Sequence, residues 1–337
     1  MRAVLYSRSR ELPRVVEVPD PACPDDGVVV AVRATGVCRS DWHAWVGHEE
    51  VALPHVPGHE FAGVVDEVGP EVTGWSIGDR VTAPFVYACG TCEQCRAGDH
   101  QVCERQQQPG FTRWGSFAER VVVTQARTNL VRLPDSLDFA AAASLGCRFA
   151  TAYRAVVAQG RLVAGETLVV VGCGGVGLSA VQIGLALGAR VVGVDPFPAA
   201  RAAAERLGAS SAATDAEARE LTGGAHVALD AYGSARTAEA AYALLRRRGR
   251  HVQVGLLAGE EAFPRLDLAR AIAEELEIRG SHGLAAHDYP AMLARIAAGE
   301  IDPGVTVGRR ISFDELPAAL VAMTDPPTGA GFTVAQL

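Results

Sequence analysis

The chain has 337 residues, longer than one usual domain, and 49% of them are hydrophobic, so two domains with separate buried cores are expected. The formal net charge of -8 is spread without long like-charge blocks, and the densest basic run, Arg246, Arg247 and Arg248 with Arg250, lacks interleaved aromatic residues, which excludes nucleic acid as a partner. Charges interrupt every apolar stretch before about 18 residues, and MRAVLYSRSRELPRVVEVPD has no apolar secretory core, so a soluble cytoplasmic protein, off the membrane, is expected.

Up to about residue 148 the chain reads as short β-type runs separated by glycine and proline, among them Val28 to Val32, Gly63 to Val68 and Glu119 to Val123. This is antiparallel β structure rather than alternating strands and helices. Between these runs lie chemically distinctive residues. Cys38 stands in GVCRSDWH, and His59 with Glu60 in PGHEFAGVV, both beside glycines that permit tight turns.

Next comes CGTCEQCRAGDHQVC, with Cys89, Cys92, Cys95 and Cys103. Two intervals of two residues and one of seven let four thiolates close around a single ion, which leaves no open position and implies a structural zinc. Cys147 follows in SLGCRFATAY. Two thiolates and one imidazole, from Cys38, Cys147 and His59, form the open arrangement a catalytic zinc needs, with Asp41 and Glu60 as carboxylates able to orient His59 or modulate the ion's charge. In a reducing compartment the eight cysteines are explained as thiolates or buried thiols, not bridges.

From about residue 150 the rhythm becomes apolar strand, glycine turn and alanine-rich helix, as in a doubly wound parallel sheet. Strands are expected over Thr167 to Val171, Arg190 to Val194, Val227 to Asp230, Arg250 to Val254 and Glu277 to Gly280, with helices over Val176 to Leu187, Ala199 to Leu207 and Arg236 to Leu245. In VVVGCGGVGLSAVQIG, Gly172 allows the turn, Gly174 lets a pyrophosphate approach the backbone and Gly177 lets the helix pack close. Asp195, 18 positions after Gly177 at the end of the next strand, would accept hydrogen bonds from adenosine ribose hydroxyls and repel a 2'-phosphate, so NAD is favoured over NADP; Arg201 nearby could soften that preference. After about 283 the rhythm stops, leaving a helix around Asp288 to Ala298 and another capped by Ser312 or Asp314, the latter placing Pro317 more easily.

With GVCRSD, GHE, the four-cysteine lobe, the Gly146-Cys147 pair and the glycine loop in that order, the chain resembles a zinc-dependent alcohol dehydrogenase of the medium-chain dehydrogenase/reductase superfamily, over its whole length and of the shorter bacterial type. The resemblance implies an α/β protein with a GroES-like catalytic domain, residues 1–148 and 284–337, and a Rossmann domain, 149–283, with the active site where they meet. It implies Cys38, His59 and Cys147 as catalytic zinc ligands, Glu60 as the nearby glutamate, Ser40 as the hydroxyl that meets the substrate alcohol and His43 as its proton relay. Arg39 matches a pyrophosphate position. Thr151 and Val176 match residues beside the nicotinamide, Gly175 and Gly255 further cofactor contacts, and Phe85 and Trp114 substrate-pocket walls. Trp42 and Trp45 have packing as well as substrate contact open to them.

Two zincs per subunit, NAD, a primary aliphatic or aromatic alcohol or its carbonyl, and a homo-oligomer, tetramer before dimer, are thereby expected. Polyol, threonine and formaldehyde dehydrogenases of the same superfamily are the alternatives, and a non-catalytic dinucleotide-binding protein is a remote one. Polyol enzymes usually supply a glutamate where Cys147 stands. Two departures from the family pattern stand out: Phe332 follows Gly331 where many relatives have a cofactor-binding arginine, and Arg148 follows Cys147 where a small residue is common.

Overall fold

The computed structural model describes residues 1–325 and 329–337. They fall into two compact units, the first being residues 1–150, 283–325 and 332–337, and the second residues 151–282 with 329–331.

The first unit is a mixed sheet with a GroES-like arrangement, organised on strand Val28–Val37, whose valine-rich sequence VVVAVRATGV is buried along most of its length. It pairs antiparallel with Phe61–Val68, Arg120–Val123 and Phe332–Gln336. Arg80–Thr82 and Val131–Arg132 extend the sheet beyond Phe61–Val68, and Val307–Ser312 closes the opposite side, parallel to Phe332–Gln336. Valines 28, 30, 32, 65, 81, 121 and 123 with Phe61 and Tyr87 make its core.

Antiparallel register decides where the site lies. Thr35 opposes Phe61, so the end of Val28–Val37, where Cys38 follows, sits beside the start of Phe61–Val68, which His59 and Glu60 precede. The two strands near the C-terminus were not legible in advance. VGRRIS lacks period-two alternation, and FTVAQ is short; both are recruited by pairing with residues distant in sequence.

The second unit is a Rossmann-like six-stranded parallel sheet. Its spatial order is Ser210–Ala212, Arg190–Val194, Thr167–Val171, Ala225–Asp230, Leu245–Gln253 and Glu277–Gly280, or 3-2-1-4-5-6 in order of appearance. The topological switch point is therefore between Thr167–Val171 and Ala225–Asp230, where open α/β sheets bind ligands at the carboxyl ends of their strands. Helices Gly175–Ala186, Pro198–Arg206, Asp215–Thr222 and Ala235–Ala243 follow the first four strands in chain order.

Two expectations are corrected here. The strand expected from Arg250 begins at Leu245, passing through a left-handed residue at Arg248 (φ 60°), and the helix before it stops at Ala243. Near the C-terminus Ser312, not Asp314, forms the capping box with Glu315, and Pro317 is accommodated because residues Phe313–Glu315 make a 3-10 turn before helix Leu316–Ala322 starts. Among the described residues no helix is long and apolar enough to cross a membrane.

Candidate functional site

Two groups of metal-binding side chains lie in the first unit. The sulfurs of Cys89, Cys92, Cys95 and Cys103 all lie within 4.8 Å of one another. Cys92 to Cys95 is 3.4 Å, Cys92 to Cys103 3.7 Å and Cys89 to Cys95 4.0 Å. A tetrahedron with zinc–sulfur bonds of about 2.3 Å has edges of about 3.8 Å, so these residues fit one zinc ion. The backbone N–H of Cys89 donates to Cys103 Sγ and that of Thr91 to Cys89 Sγ, while the Arg105 guanidinium reaches Cys89 Sγ at 3.4 Å, all of which favour thiolates.

The second group joins Cys38, His59, Glu60 and Cys147, whose ligand atoms also lie within 4.8 Å of one another. Cys38 caps helix Arg39–Val46, and Cys147 follows the 3-10 turn Ser144–Gly146. Asp41, in the first turn of that helix, is completely buried and ties the pieces together. Its Oδ1 accepts from His59 Nδ1 at 2.8 Å and from the Gly58 N–H at 3.0 Å, and its Oδ2 accepts from the Cys38 N–H at 2.9 Å. Nδ1 of His59 therefore keeps its proton, and Nε2, buried and without a hydrogen-bond partner among the described residues, is the nitrogen left to meet a metal once its own proton is displaced. An orphaned imidazole nitrogen grouped with two thiols fits a metal ion with three protein ligands.

The electrostatics agree with that chemistry. The hydrogen bond from Cys147 holds Cys38 well below the ordinary thiol value despite its burial, with His59 and Arg148 helping. The same bond, with burial, pushes Cys147 well up. Burial opposes charge on His59, but Asp41 and Cys38 outweigh it and raise its pKa well above 6.5. Burial pushes Glu60 up to about 7 against the pull of Arg148. Cation binding would replace the protons on His59 and Cys147.

Arg148, 5% exposed, points into the protein. Its backbone N–H and Nε donate to Glu60 Oε1 at 3.0 and 2.9 Å, Nη2 donates to Glu60 Oε2, and Nη1 donates to the Val37 carbonyl at 3.0 Å. The guanidinium lies 4.2 Å over the Phe332 ring. The two departures from the family pattern thus touch each other.

Ser40 and His43 occupy helix Arg39–Val46, both half-buried. His43 Nδ1 is 3.0 Å from Nδ1 of the exposed His48, and its pKa is lowered to about 4 by burial, then by Arg39 and His48. Arg39 lies 3.9 Å over the Trp42 ring and donates to the Met323 carbonyl. Trp45 is buried in an apolar cluster, and Trp42 donates its indole N–H to Thr324.

Phe85 and Phe111 flank His59 with ring centroids 6.2 and 5.3 Å away. Phe111 and His48 were missed in the sequence. Neither belongs to a motif, although Phe111 lies three residues before Trp114. Trp114 itself is 40% exposed and donates to the Pro54 carbonyl; Phe117 and Phe149, aromatic residues near the same motifs, are fully buried.

In the second unit the glycine loop has the expected construction. Gly172 has φ 90°, and a Cβ at Gly177 would strike the Gly172 carbonyl. Among the described residues a Cβ at Gly174 would meet nothing within 4 Å, leaving open space before the first turn of the helix, where Gly175 and Val176 lie, and no side chain caps that helix. An exposed helix start facing free space fits a dinucleotide phosphate.

Asp195 Oδ2 accepts from the Cys173 N–H and Oδ1 from the Phe197 N–H, each at 2.9 Å, so the carboxylate is fixed beside the loop. Arg201 donates to the carbonyls of Asp195 and Pro196, at 2.8 and 2.9 Å. Thr151 has a buried hydroxyl without a partner among the described residues, and the Gly255 N–H donates to the Asp230 carbonyl.

Known proteins share this construction. Residues 24–135 match the alcohol dehydrogenase GroES-like domain and residues 175–298 the zinc-binding dehydrogenase domain. An alcohol dehydrogenase of Geobacillus stearothermophilus is 38% identical over 276 residues, 79% of this chain and 81% of that protein. A sorbitol dehydrogenase of Halalkalibacterium halodurans is 32% identical over 89% of each. Among solved structures, the alcohol dehydrogenase from Thermus sp. ATN1 superposes with a TM-score of 0.91 at 31% identity, covering 100% of this chain and 99% of that one.

Proposed function

Because the chain belongs to the zinc-type alcohol dehydrogenases of the medium-chain dehydrogenase/reductase superfamily, we propose that it catalyses reversible hydride transfer between NAD and a primary aliphatic or aromatic alcohol or its carbonyl partner. The observation that carries this is the buried, unpartnered Nε2 of His59 grouped with Cys38 and Cys147, its opposite nitrogen held by Asp41. A zinc ion held by these three residues would supply Lewis acidity toward the reacting oxygen, and a nicotinamide would supply the hydride acceptor or donor. A second zinc on Cys89, Cys92, Cys95 and Cys103 would hold their loop.

The chain's own residues then have these roles. Asp41 keeps His59 in the tautomer whose Nε2 is free, and ties Cys38 to it through one carboxylate. Ser40 receives the alcohol proton. His43, kept neutral at pH 7 by burial and then by Arg39 and His48, is a weak proton acceptor that would pass the proton onward rather than hold it. The rings of Phe85 and Phe111 beside His59 favour an apolar substrate and exclude water. Gly172, Gly174, Gly175, Val176 and Gly177 would cradle the cofactor's phosphates, Asp195 its adenosine ribose, and Thr151 and Gly255 the nicotinamide end.

Polyol oxidation is the second reading, favoured by the sorbitol dehydrogenase relative and by a D-arabitol-phosphate dehydrogenase of Enterococcus avium at 31% identity. A matrix of initial rates decides between them: benzyl alcohol, hexanol, sorbitol and threonine, with NAD and NADP, before and after chelation, with zinc counted per subunit. Two zincs and fastest NAD-linked oxidation of benzyl alcohol or hexanol, lost on chelation, are expected. Sorbitol or threonine turning over far better would overturn the substrate assignment, and one zinc with undiminished activity would overturn the metal assignment.

We further expect a cytoplasmic homo-oligomer, tetramer before dimer. Phe263 and Ile272, 85% and 82% exposed, are apolar surface of the kind that subunit contacts cover. Light scattering on the purified protein tests it.

A further inference from the structure

Glu60 offers a carboxylate oxygen within 4.8 Å of the ligand atoms of Cys38, His59 and Cys147, yet both its oxygens are taken by Arg148. We propose that Arg148 is a positioning residue that keeps Glu60 off the metal, so that the fourth coordination position stays open to an exchangeable ligand. This rests on the reading of Cys38, His59 and Cys147 as the metal's ligands and adds to it a role for Arg148, with Phe332 stacked against it.

Three features support it. The contact is a fork, Nε to Oε1 and Nη2 to Oε2, which leaves neither oxygen facing the thiols without an Arg148 donor. Room for it is built in, since a Cβ at Gly36 would collide with both Glu60 Oε2 and Arg148 Nη2. The guanidinium is fixed on its other sides by the Val37 carbonyl and the Phe332 ring.

Charge counting gives the same result. Two thiolates neutralise a divalent cation and Arg148 neutralises Glu60, so the buried Asp41 carboxylate, held by His59 Nδ1 and two backbone N–H groups, is the charge left over. Without Arg148, the Glu60 carboxylate would be an unpaired anion in a fully buried position, with the metal as its nearest cation. A rotation of its side chain would close the site as a fourth protein ligand, displacing exogenous ligands.

The test uses the full chain with cobalt(II) exchanged for zinc and imidazole as the probe, its binding read from the cobalt absorption spectrum. The four-thiolate cluster has no open position and stays silent. Arg148→Met is expected to weaken imidazole binding at least tenfold and change the spectrum of the imidazole-free protein. Glu60→Gln/Arg148→Met is expected to return it to within threefold of wild type. Arg148→Lys, which keeps the charge but cannot span both oxygens, is expected to weaken it two- to tenfold and serves if Arg148→Met does not fold.

Arg148→Met and Arg148→Lys both binding imidazole as wild type does would overturn the proposal, as would a double variant as weak as Arg148→Met. Failure of the underlying metal reading looks different: wild type itself would show no imidazole response, or Cys147→Ser would retain it.

Discussion

Asp41 is the residue on which the geometry of the site most depends, and replacing it with asparagine isolates its charge from its shape. The carboxylate accepts three hydrogen bonds, from His59 Nδ1, Gly58 N–H and Cys38 N–H. An amide with its oxygen at Oδ1 keeps the first two as neutral acceptor bonds, each weaker by about 1 kcal/mol, and turns an NH2 toward the Cys38 N–H. That donor is buried and loses its acceptor, at about 1–3 kcal/mol. The folded protein should therefore lose about 3–5 kcal/mol, read as a lower urea midpoint at unchanged slope. Weaker orientation of His59 should cost 10–100-fold in metal affinity, or about 1.4–2.7 kcal/mol. Competition of the protein with a chromophoric chelator at pH 7.5 measures this. A folded Asp41→Asn protein that binds its catalytic metal within threefold of wild type would refute the claim that Asp41 sets the ligand geometry.

Cys92→Ser should leave one zinc per subunit by metal analysis and open the 89–103 segment to limited proteolysis; two retained zincs would contradict the four-sulfur assignment. Asp195→Ser should shift the ratio of kcat/KM for NADP over NAD upward by at least about tenfold, equivalent to about 1.4 kcal/mol, and an unmoved ratio would take the choice of cofactor away from that carboxylate. His43 titrates near 4 in the folded protein against 6.5 ordinarily, so the unfolded chain binds the extra proton between those values, and its contribution makes stability fall as pH drops from 6.5 to 4. The full shift corresponds to about 3 kcal/mol, reduced to about 1 by solvent around a half-buried ring. His43→Gln should remove that part of the acid sensitivity in urea unfolding at pH 4.5 and 7.5; an unchanged difference would mean that His43 is not so depressed.

Legibility differed from residue to residue for physical reasons. The four-cysteine cluster is local, all its ligands within fifteen residues, so spacing alone predicted their convergence. The glycine loop is local too, because turn, phosphate approach and helix packing are met by three glycines in six positions. Phe111 was not legible. Its place against His59 depends on how an irregular segment folds back over the sheet, and aromatic residues nearby in sequence, Phe117 and Phe149, went into the core instead. The late strands Val307–Ser312 and Phe332–Gln336 have weak local preference and owe their form to their partners.

Sequence by itself determined the residue types and their chemistry: two metal-binding sets, a phosphate loop with an acidic residue after the next strand, and a change from β-rich to βα rhythm near residue 150. Tertiary structure alone decided how the scattered set is oriented. Strand register sets Cys38 beside His59, Asp41 assigns the proton on the imidazole, and Arg148 reaches Glu60, 88 positions away, while stacking on Phe332. These contacts join segments that sequence separation keeps apart, and their geometry comes from packing, which no spacing of residues encodes. The same packing turned two separate departures from the family pattern, Arg148 and Phe332, into one contact behind the site.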